Sequence, residues 1–457
     1  MDLYQCVLVV PFPAQGHVMP LIKLAYNLAY HGIDVMFANC ELVEAKILAA
    51  MSDADKEQFP IRLVTYSDGM ESQPADQRSG QGLRNSLSKV MPGNIENLIK
   101  QINHSDNREP ITCVIADLTL GWTLEVASKM GLKQVAVWPA GPACLALSLH
   151  IPKLISTGVI DETGSPVKNE LIRLSNEVPV FGSSELMWSS PDNPTAQKFL
   201  FDISQDVIKA TENGSIVLCN TFLELDSSSC ALIPNILPIG PLPAIKHLNP
   251  SIGTFSPQDS TCLNWLDKQP SNSVIYIAFG STAKFIQKQF NEVALGLELS
   301  GHSFLWVIRS NIVNGSSPEY PDGFLERTAS LGKIVEWAPQ EKVLAHTSIS
   351  CFFSHCGWNS TIDGLCFGVP FLCWPYFYDQ LQNKNYIRDM WKVGLSLEHD
   401  EDGMISRHEI KTKIDSLLTD EGIKRNALKL MEDAKKSVNE GGSSYENFES
   451  LIKYLKA

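Results

Sequence analysis

Apolar residues in this chain fall into short unbroken runs, separated by segments in which they return every third or fourth position. Cys6 to Val10 is one such run, closed by a Pro/Gly loop. Val18 to Tyr30 then carries Leu21, Leu24, Ala25 and Leu28 at helical spacing and ends at Gly32, and Ile33 to Ala38 reads as a second strand. Strand, helix and strand at these lengths make a βαβ unit with a parallel sheet. The pattern returns at Thr112 to Ala116, a helix from Thr123 to Met130 ended by Gly131, and a strand at Gln134 to Val137. The first half is therefore expected to be a doubly wound α/β domain.

A second series follows a stretch, residues 238 to 258, in which Pro, Gly, Ser and Asn crowd together without apolar periodicity. The strand Val274 to Ala278 leads into a helix around Phe290 to Leu299 and a strand at Phe304 to Ile308. Alternation continues through Ile349 to Phe353 and Val369 to Cys373. This predicts a domain over 1–240, a linker over 241–258, a second α/β domain over 259–435, and a closing helical segment over 436–457. In that last segment Ser443 and Glu446 are spaced as a capping box ahead of Phe448, Leu451, Ile452 and Leu455 on one helix face.

Length agrees with two domains, since 457 residues exceed what one core usually supports. An apolar share of 44% and a charged share of 19% are ordinary for a soluble globular protein. No stretch approaches the roughly 20 uninterrupted apolar residues of a membrane helix. The formal charge of −14, without a dense Lys/Arg cluster, argues against nucleic acid. Eleven cysteines, an odd number without CxxC pairs, lie mostly in apolar runs such as those around Cys6, Cys113, Cys219 and Cys351. They read as buried thiols of a reducing compartment. The start at Met1 lacks a basic segment and a long apolar core, so the cytosol is expected and sequons at Asn213 and Asn314 are chance matches.

Ligands of open α/β sheets bind beyond the carboxyl ends of strands. His17 follows the first strand through Pro11-Phe12-Pro13-Ala14-Gln15-Gly16, and Asp117 directly follows Thr112 to Ala116, on the same rim. A carboxylate on one ring nitrogen fixes the tautomer and leaves the other to take a proton from a hydroxyl. The plainer alternatives are a His satisfying backbone groups near a helix start and an Asp capping the next helix. Gly16 stands by itself, without G-x-G-x-x-G, which disfavours a dinucleotide-dependent dehydrogenase.

The segment from Trp337 to Gln380 concentrates nucleotide-binding chemistry. Ser354-His355-Cys356-Gly357 follows a strand, and Asn359-Ser360-Thr361 opens a helix whose free amides and positive dipole suit a diphosphate. His355, Asn359 and Ser360 add side-chain donors, and Gly280-Ser281-Thr282 does the same after another strand. Trp337 is placed to stack on a base, Gln340 and Asp363 to bind ribose, and Asp379 with Gln380 to bind sugar hydroxyls. Each also has a bland reading: Trp337 as core, Asn359, Ser360 and Asp379 as caps, Asp363 as a first-turn acid.

This segment resembles the signature box of plant secondary-product UDP-glycosyltransferases, with WAPQ, HCGWNS and DQ at the family's spacing. The likeness extends over nearly the whole chain, through PFPAQGH, VIAD ending at Asp117, FGS at Phe279 to Ser281 and LWVIR at Leu305 to Arg309. It implies the GT-B fold of two facing Rossmann-like domains, with the acceptor on the first, the UDP-sugar on the second, and a final helix returning to the first. By this resemblance Trp337 stacks on uracil, and Ala338 reads it through its backbone. Gln340 and Asp363 hold ribose, and Ser281, His355, Asn359 and Ser360 hold the diphosphate. Trp358, through its backbone, Asp379 and Gln380 hold the sugar, while His17 is the general base oriented by Asp117. Asp363 departs from the Glu usual in the family; Gln380 matches members that use glucose.

The implied reaction is direct, metal-independent displacement with inversion, taking UDP-glucose as co-substrate and no resident cofactor. The acceptor is expected to be a small hydrophobic phenolic, flavonoid or terpenoid, and the enzyme a monomer without membrane insertion. Candidate acceptor contacts are Phe12, Leu118, Trp138, Phe181, Met187, Phe199 and Phe377, each of which also reads as core. Alternatives are a sugar-nucleotide epimerase of similar fold, C-transfer on the same scaffold, and a binding module that has lost its chemistry. A metal-dependent transferase would rest on the lone D-x-D at Asp53 to Asp55, in a polar stretch that reads as an exposed loop.

Overall fold

The computed structural model describes residues 5–52, 56–57, 59–74, 77–78, 80–105, 109–168, 170–190, 193–242, 255, 259–313 and 317–457. Asp53 to Asp55, the Asn314 sequon and most of the 241–258 linker lie outside them. The chain divides into two compact units, one comprising 1–257 together with 436–457 and the other 258–435.

The first unit is built on strands β1 (Cys6–Val10), β2 (Asp34–Cys40), β3 (Arg62–Tyr66), β4 (Ile111–Asp117) and β5 (Lys133–Trp138). A short antiparallel pair, β6 (Leu171–Ile172) and β7 (Phe181–Gly182), precedes β8 (Ile216–Cys219) and β9 (Ile236–Pro238). The main sheet has seven strands in the order β3-β2-β1-β4-β5-β8-β9, with parallel pairing throughout. Every residue of β1 is buried, as expected of a central strand covered on both faces. Chain order runs outward in one direction from β1 and in the other from β4, so the gap between their carboxyl ends is a topological switch point.

The second unit contains β10 (Val274–Ala278), β11 (Ser303–Val307), β12 (Gly332–Val335), β13 (Ile349–Ser354), β14 (Phe371–Cys373) and β15 (Gly394–Ser396). Its six-stranded parallel sheet has the order β12-β11-β10-β13-β14-β15, which puts its switch point between β10 and β13. Phe279, just past β10, packs edge-on against Phe285, Phe353 and Trp374 at ring separations of 5.0, 5.2 and 5.5 Å. Four large rings thus fix the strand end that carries the next loop.

Periodicity located the elements to within a few residues. The first helix spans Gln15–Tyr30, three residues longer at its start than the apolar spacing indicates, and β4 includes Asp117 itself. The last helix, Ser443–Lys456, buries Phe448, Leu451, Ile452 and Leu455. Its start corrects the capping box: Gly442 is the N-cap, and Ser443 lies inside the helix and donates to Glu224 at 2.8 Å. One residue of shift carries the hydroxyl away from the amide it would have capped. Within the first unit this helix is held by Asn447 donating to the Pro238 carbonyl at 2.8 Å and by Phe448 packing on His31 at 5.0 Å. Lys133 Nζ donates to the Tyr454 and Leu455 carbonyls at 3.0 and 3.3 Å, satisfying the helix C-terminus.

Candidate active site

Two groups of residues gather at the two switch points. In the first unit, register aligns Val10 of β1 with Ala116 of β4, so the chain leaving β1 and the last residue of β4 emerge side by side. The Pro-rich loop turns back through Ala14, which accepts the first helical bonds from His17 and Val18 but supplies no side-chain cap. His17, one turn into that helix, bonds through Nδ1 to Asp117 Oδ2 at 2.7 Å.

Asp117 has no accessible side-chain surface, whereas His17 keeps 28% of its own. The other carboxylate oxygen, Oδ1, accepts from Thr119 N at 2.9 Å and Thr119 Oγ1 at 2.6 Å. Three donors therefore hold the buried carboxylate. Since it only accepts, His17 Nδ1 carries a proton, and in the neutral tautomer the lone pair is therefore on Nε2. The cap role considered for Asp117 is also real, because it caps the short turn Leu118–Leu120. One carboxylate does both. Thr119 was not singled out from the sequence, although the D-x-T spacing is a side-chain turn signal.

In the second unit His355 follows β13 and lies against the loop that follows β10. A Cβ added at Gly280 would come within 2.5 Å of His355 Nε2, and one at Gly357 within 2.6 Å. Gly280 also has φ +66°. The two glycines let the imidazole sit directly on backbone. His355 Nδ1 is buried without a well-aligned hydrogen bond, although part of the residue stays accessible. Burial pushes its pKa down to about 4, opposed by the Ala278 carbonyl and helped by the Arg309 charge, so the ring is neutral at pH 7.

The helix Trp358–Cys366 has Gly357 as its N-cap, without a side-chain cap. Instead Asp379 reaches in from another element, its Oδ2 accepting from Trp358 N at 3.1 Å. Gln340 Nε2 donates to Asp363 Oδ2 at 2.6 Å and to Ser360 Oγ at 3.1 Å, so these three proposed nucleotide ligands form one bonded group. Gln380 Oε1 accepts from Tyr376 N at 2.7 Å and Phe377 N at 3.1 Å. Trp337 is partly exposed, two residues beyond β12, with Ala338 buried beside it, while Asn359 is half-buried and Ser281 exposed. Sequence reasoning passed over Asn383, which donates to Asp379 Oδ2; an Asp followed four positions later by Asn on a helix was the available signal.

The expected acceptor contacts divide. Leu118, Trp138, Phe181 and Met187 are 0–1% exposed and present no surface to a ligand. They pack as core, the reading the sequence left open for each, with Leu118 and Trp138 at strand ends of a sheet covered on both faces. Phe12 and Phe199 are partly exposed, and Phe12 packs on the His17 ring at 5.1 Å. Phe377 is 38% exposed and belongs to the second unit.

Two doubly wound parallel sheets, one carrying a buried-carboxylate imidazole and the other a helix start at its switch point, define a nucleotide-binding class of α/β architecture. A family model described as UDP-glucuronosyl and UDP-glucosyl transferase matches residues 6–436, and the chain belongs to that family and is a UDP-glycosyltransferase. It is 39% identical over 459 residues to UDP-glycosyltransferase 83A1 of Arabidopsis thaliana, covering 99% of this chain and 97% of the relative. The crystal structure of Os79 from O. sativa in complex with UDP superposes with a TM-score of 0.83 at 26% identity, covering 98% of this chain and all of that one. Phytolacca americana UGT2, complexed with UDP-2fluoro-glucose and pterostilbene, gives 0.79 at 25% identity over 99% of both chains. The fold is GT-B, and the family decides for a transferase over the epimerase alternative.

Proposed function

We propose that this transferase moves glucose from UDP-glucose to a hydroxyl of a small hydrophobic acceptor, with inversion at the anomeric carbon and without a metal. The His17–Asp117 bond carries the reading. With Nδ1 committed to a buried carboxylate, Nε2 takes the acceptor proton while the acceptor oxygen attacks the anomeric carbon. The bond from that carbon to the UDP oxygen breaks on the opposite face, and the imidazolium that forms is stabilised by Asp117. Inversion follows from a single displacement.

On the donor side, Trp337 and Ala338 take uracil, and Gln340 with Asp363 takes ribose. Ser281, neutral His355, Asn359 and Ser360 donate to the diphosphate, and Trp358, Asp379 and Gln380 take the sugar. Neutral donors at a helix start stabilise charge growing on the leaving diphosphate without a cation. The accessible aromatic rings of Phe12 and Phe199 favour an apolar acceptor such as a phenolic, flavonoid or terpenoid, and the pterostilbene bound to the Phytolacca americana protein supports that class. A reducing, cytosolic setting is supported by eleven cysteines, all of them buried.

The test is an acceptor panel with UDP-glucose in the presence of EDTA, reading UDP release and the product by NMR. Acceptor-dependent UDP release with a β-linked, acid-labile glucoside is expected. Retained α configuration, or loss of activity restored by a divalent ion, overturns the mechanism; an acid-stable product assigns C-transfer.

A further inference from the structure

Asn383 lies in the helix Gln380–Asn385, after the DQ pair, and is 3% exposed. Its amide nitrogen has two hydrogens, and both are used. One goes to Asp379 Oδ2 at 2.8 Å, the other to the Cys356 carbonyl at 2.9 Å. The acceptors belong to opposite halves of the donor cradle: Asp379 to the sugar end, Cys356 to the loop between His355 and the helix start.

Each bond has a geometric effect. Asp379 Oδ2 also accepts from Trp358 N, so Asn383 and the helix start grip the same oxygen and fix where it sits. Cys356 adopts φ +64°, a left-handed conformation disfavoured for a side-chain-bearing residue and held only by its surroundings. Its carbonyl takes Asn383 and Thr361 Oγ1, the latter at 3.3 Å, and its N–H is fixed by Ser354 Oγ at 3.0 Å. In a trans peptide the carbonyl and the next N–H point opposite ways. Anchoring the Cys356 carbonyl toward Asn383 therefore turns the Gly357 N–H away from that helix.

We propose that Asn383 is a positioning residue for the transfer reaction, tying the orientation of the sugar-holding carboxylate to the conformation of the diphosphate loop. This rests on the donor-site reading given above. The tie makes sugar identity and diphosphate grip interdependent, so loss of the amide disturbs both ends together while leaving the direct ligands in place.

The experiment compares wild type with Asn383→Leu and Asn383→Ala, which remove the donors. It reads UDP affinity by calorimetry, and the ratio of kcat/KM for UDP-glucose to that for UDP-galactose. That ratio is independent of the folded fraction, so destabilisation alone does not move it. A misplacement of about 1 Å costs on the order of 10²-fold in rate. The expected result is a kcat loss of that size for UDP-glucose, a donor ratio moved by at least about tenfold, and weaker UDP binding. Either variant folding with the donor ratio and UDP affinity unchanged overturns the coupling. If Asn383→Leu fails to fold, Asn383→Ala decides in its place. Failure of wild type to turn over UDP-glucose at all counts against the donor reading, not the coupling.

Discussion

At the residue scale the decisive contact is the 2.7 Å bond between His17 and Asp117. Replacing His17 with Ala is expected to lower turnover by about 10² to 10⁴, with UDP affinity unchanged by calorimetry. Asp117→Asn should cause a comparable loss, and the double variant should lose little more, because the two act as one unit. Additive losses, measured as kcat/KM ratios, would separate their roles. Asp363 offers a second test. Gln340 bridges to its carboxylate at 2.6 Å, so the short side chain is met by a neighbour rather than left to span the gap alone. Asp363→Ala removes that acceptor and leaves Gln340 bonded to Ser360 alone of the pair, and donor binding should weaken by roughly 1.5–3 kcal/mol, seen as a higher donor KM. Asp363→Glu tests whether the pocket has closed around the shorter acid: a lower donor KM means that room remains, a higher one that Gln340 fills it. The dyad was legible in the sequence because both residues leave strands on one rim. Thr119 and Asn383 were not, since their value lies in which buried atom they reach, and no spacing encodes that across a fold.

At the element scale both constellations arise from the same event, a parallel sheet reversing its winding. Strand ends can be read from apolar runs, but strand order cannot, because it depends on pairings such as β1 with β4, about a hundred residues apart in sequence. The failed capping box at Ser443 has a related cause: local spacing proposed a cap, and the packing of the helix through Phe448 and Leu451 set the register one residue away. In the second unit the loop after β10 must pass under His355 without a side chain. Gly280→Ala brings a Cβ to 2.5 Å from Nε2 in a backbone with φ +66°. The left-handed conformation alone costs about 1–2 kcal/mol. A lower melting temperature with UDP affinity reduced through a displaced imidazole is the expected outcome. A variant that melts earlier but binds UDP as wild type would show that the His355 ring position does not matter to the nucleotide.

At the scale of the whole molecule, His355, proposed above as a diphosphate donor, also bears on stability. Its pKa falls from 6.5 in the unfolded chain to about 4 in the fold, so between these values the unfolded state binds more protons. Its contribution is fully present above pH 6.5 and is lost as pH falls toward 4, at roughly 1 kcal/mol per pH unit. Denaturant melts from pH 7 to 4 should show a shallower decline for His355→Gln than for wild type; parallel declines would assign acid sensitivity elsewhere. The division into units has a consequence for biosynthesis. Lys456 donates to the His31 carbonyl across 425 residues, and the closing helix bonds to β5 through Lys133 and to β9 through Pro238. A ribosome that has released the first 257 residues has therefore not yet supplied the helix that completes their unit, and must first deliver the whole second unit. The surface around His31, Lys133 and Pro238 that this helix covers is left without it throughout that interval, a window for chaperone capture that closes only once the helix Ser443–Lys456 has been made.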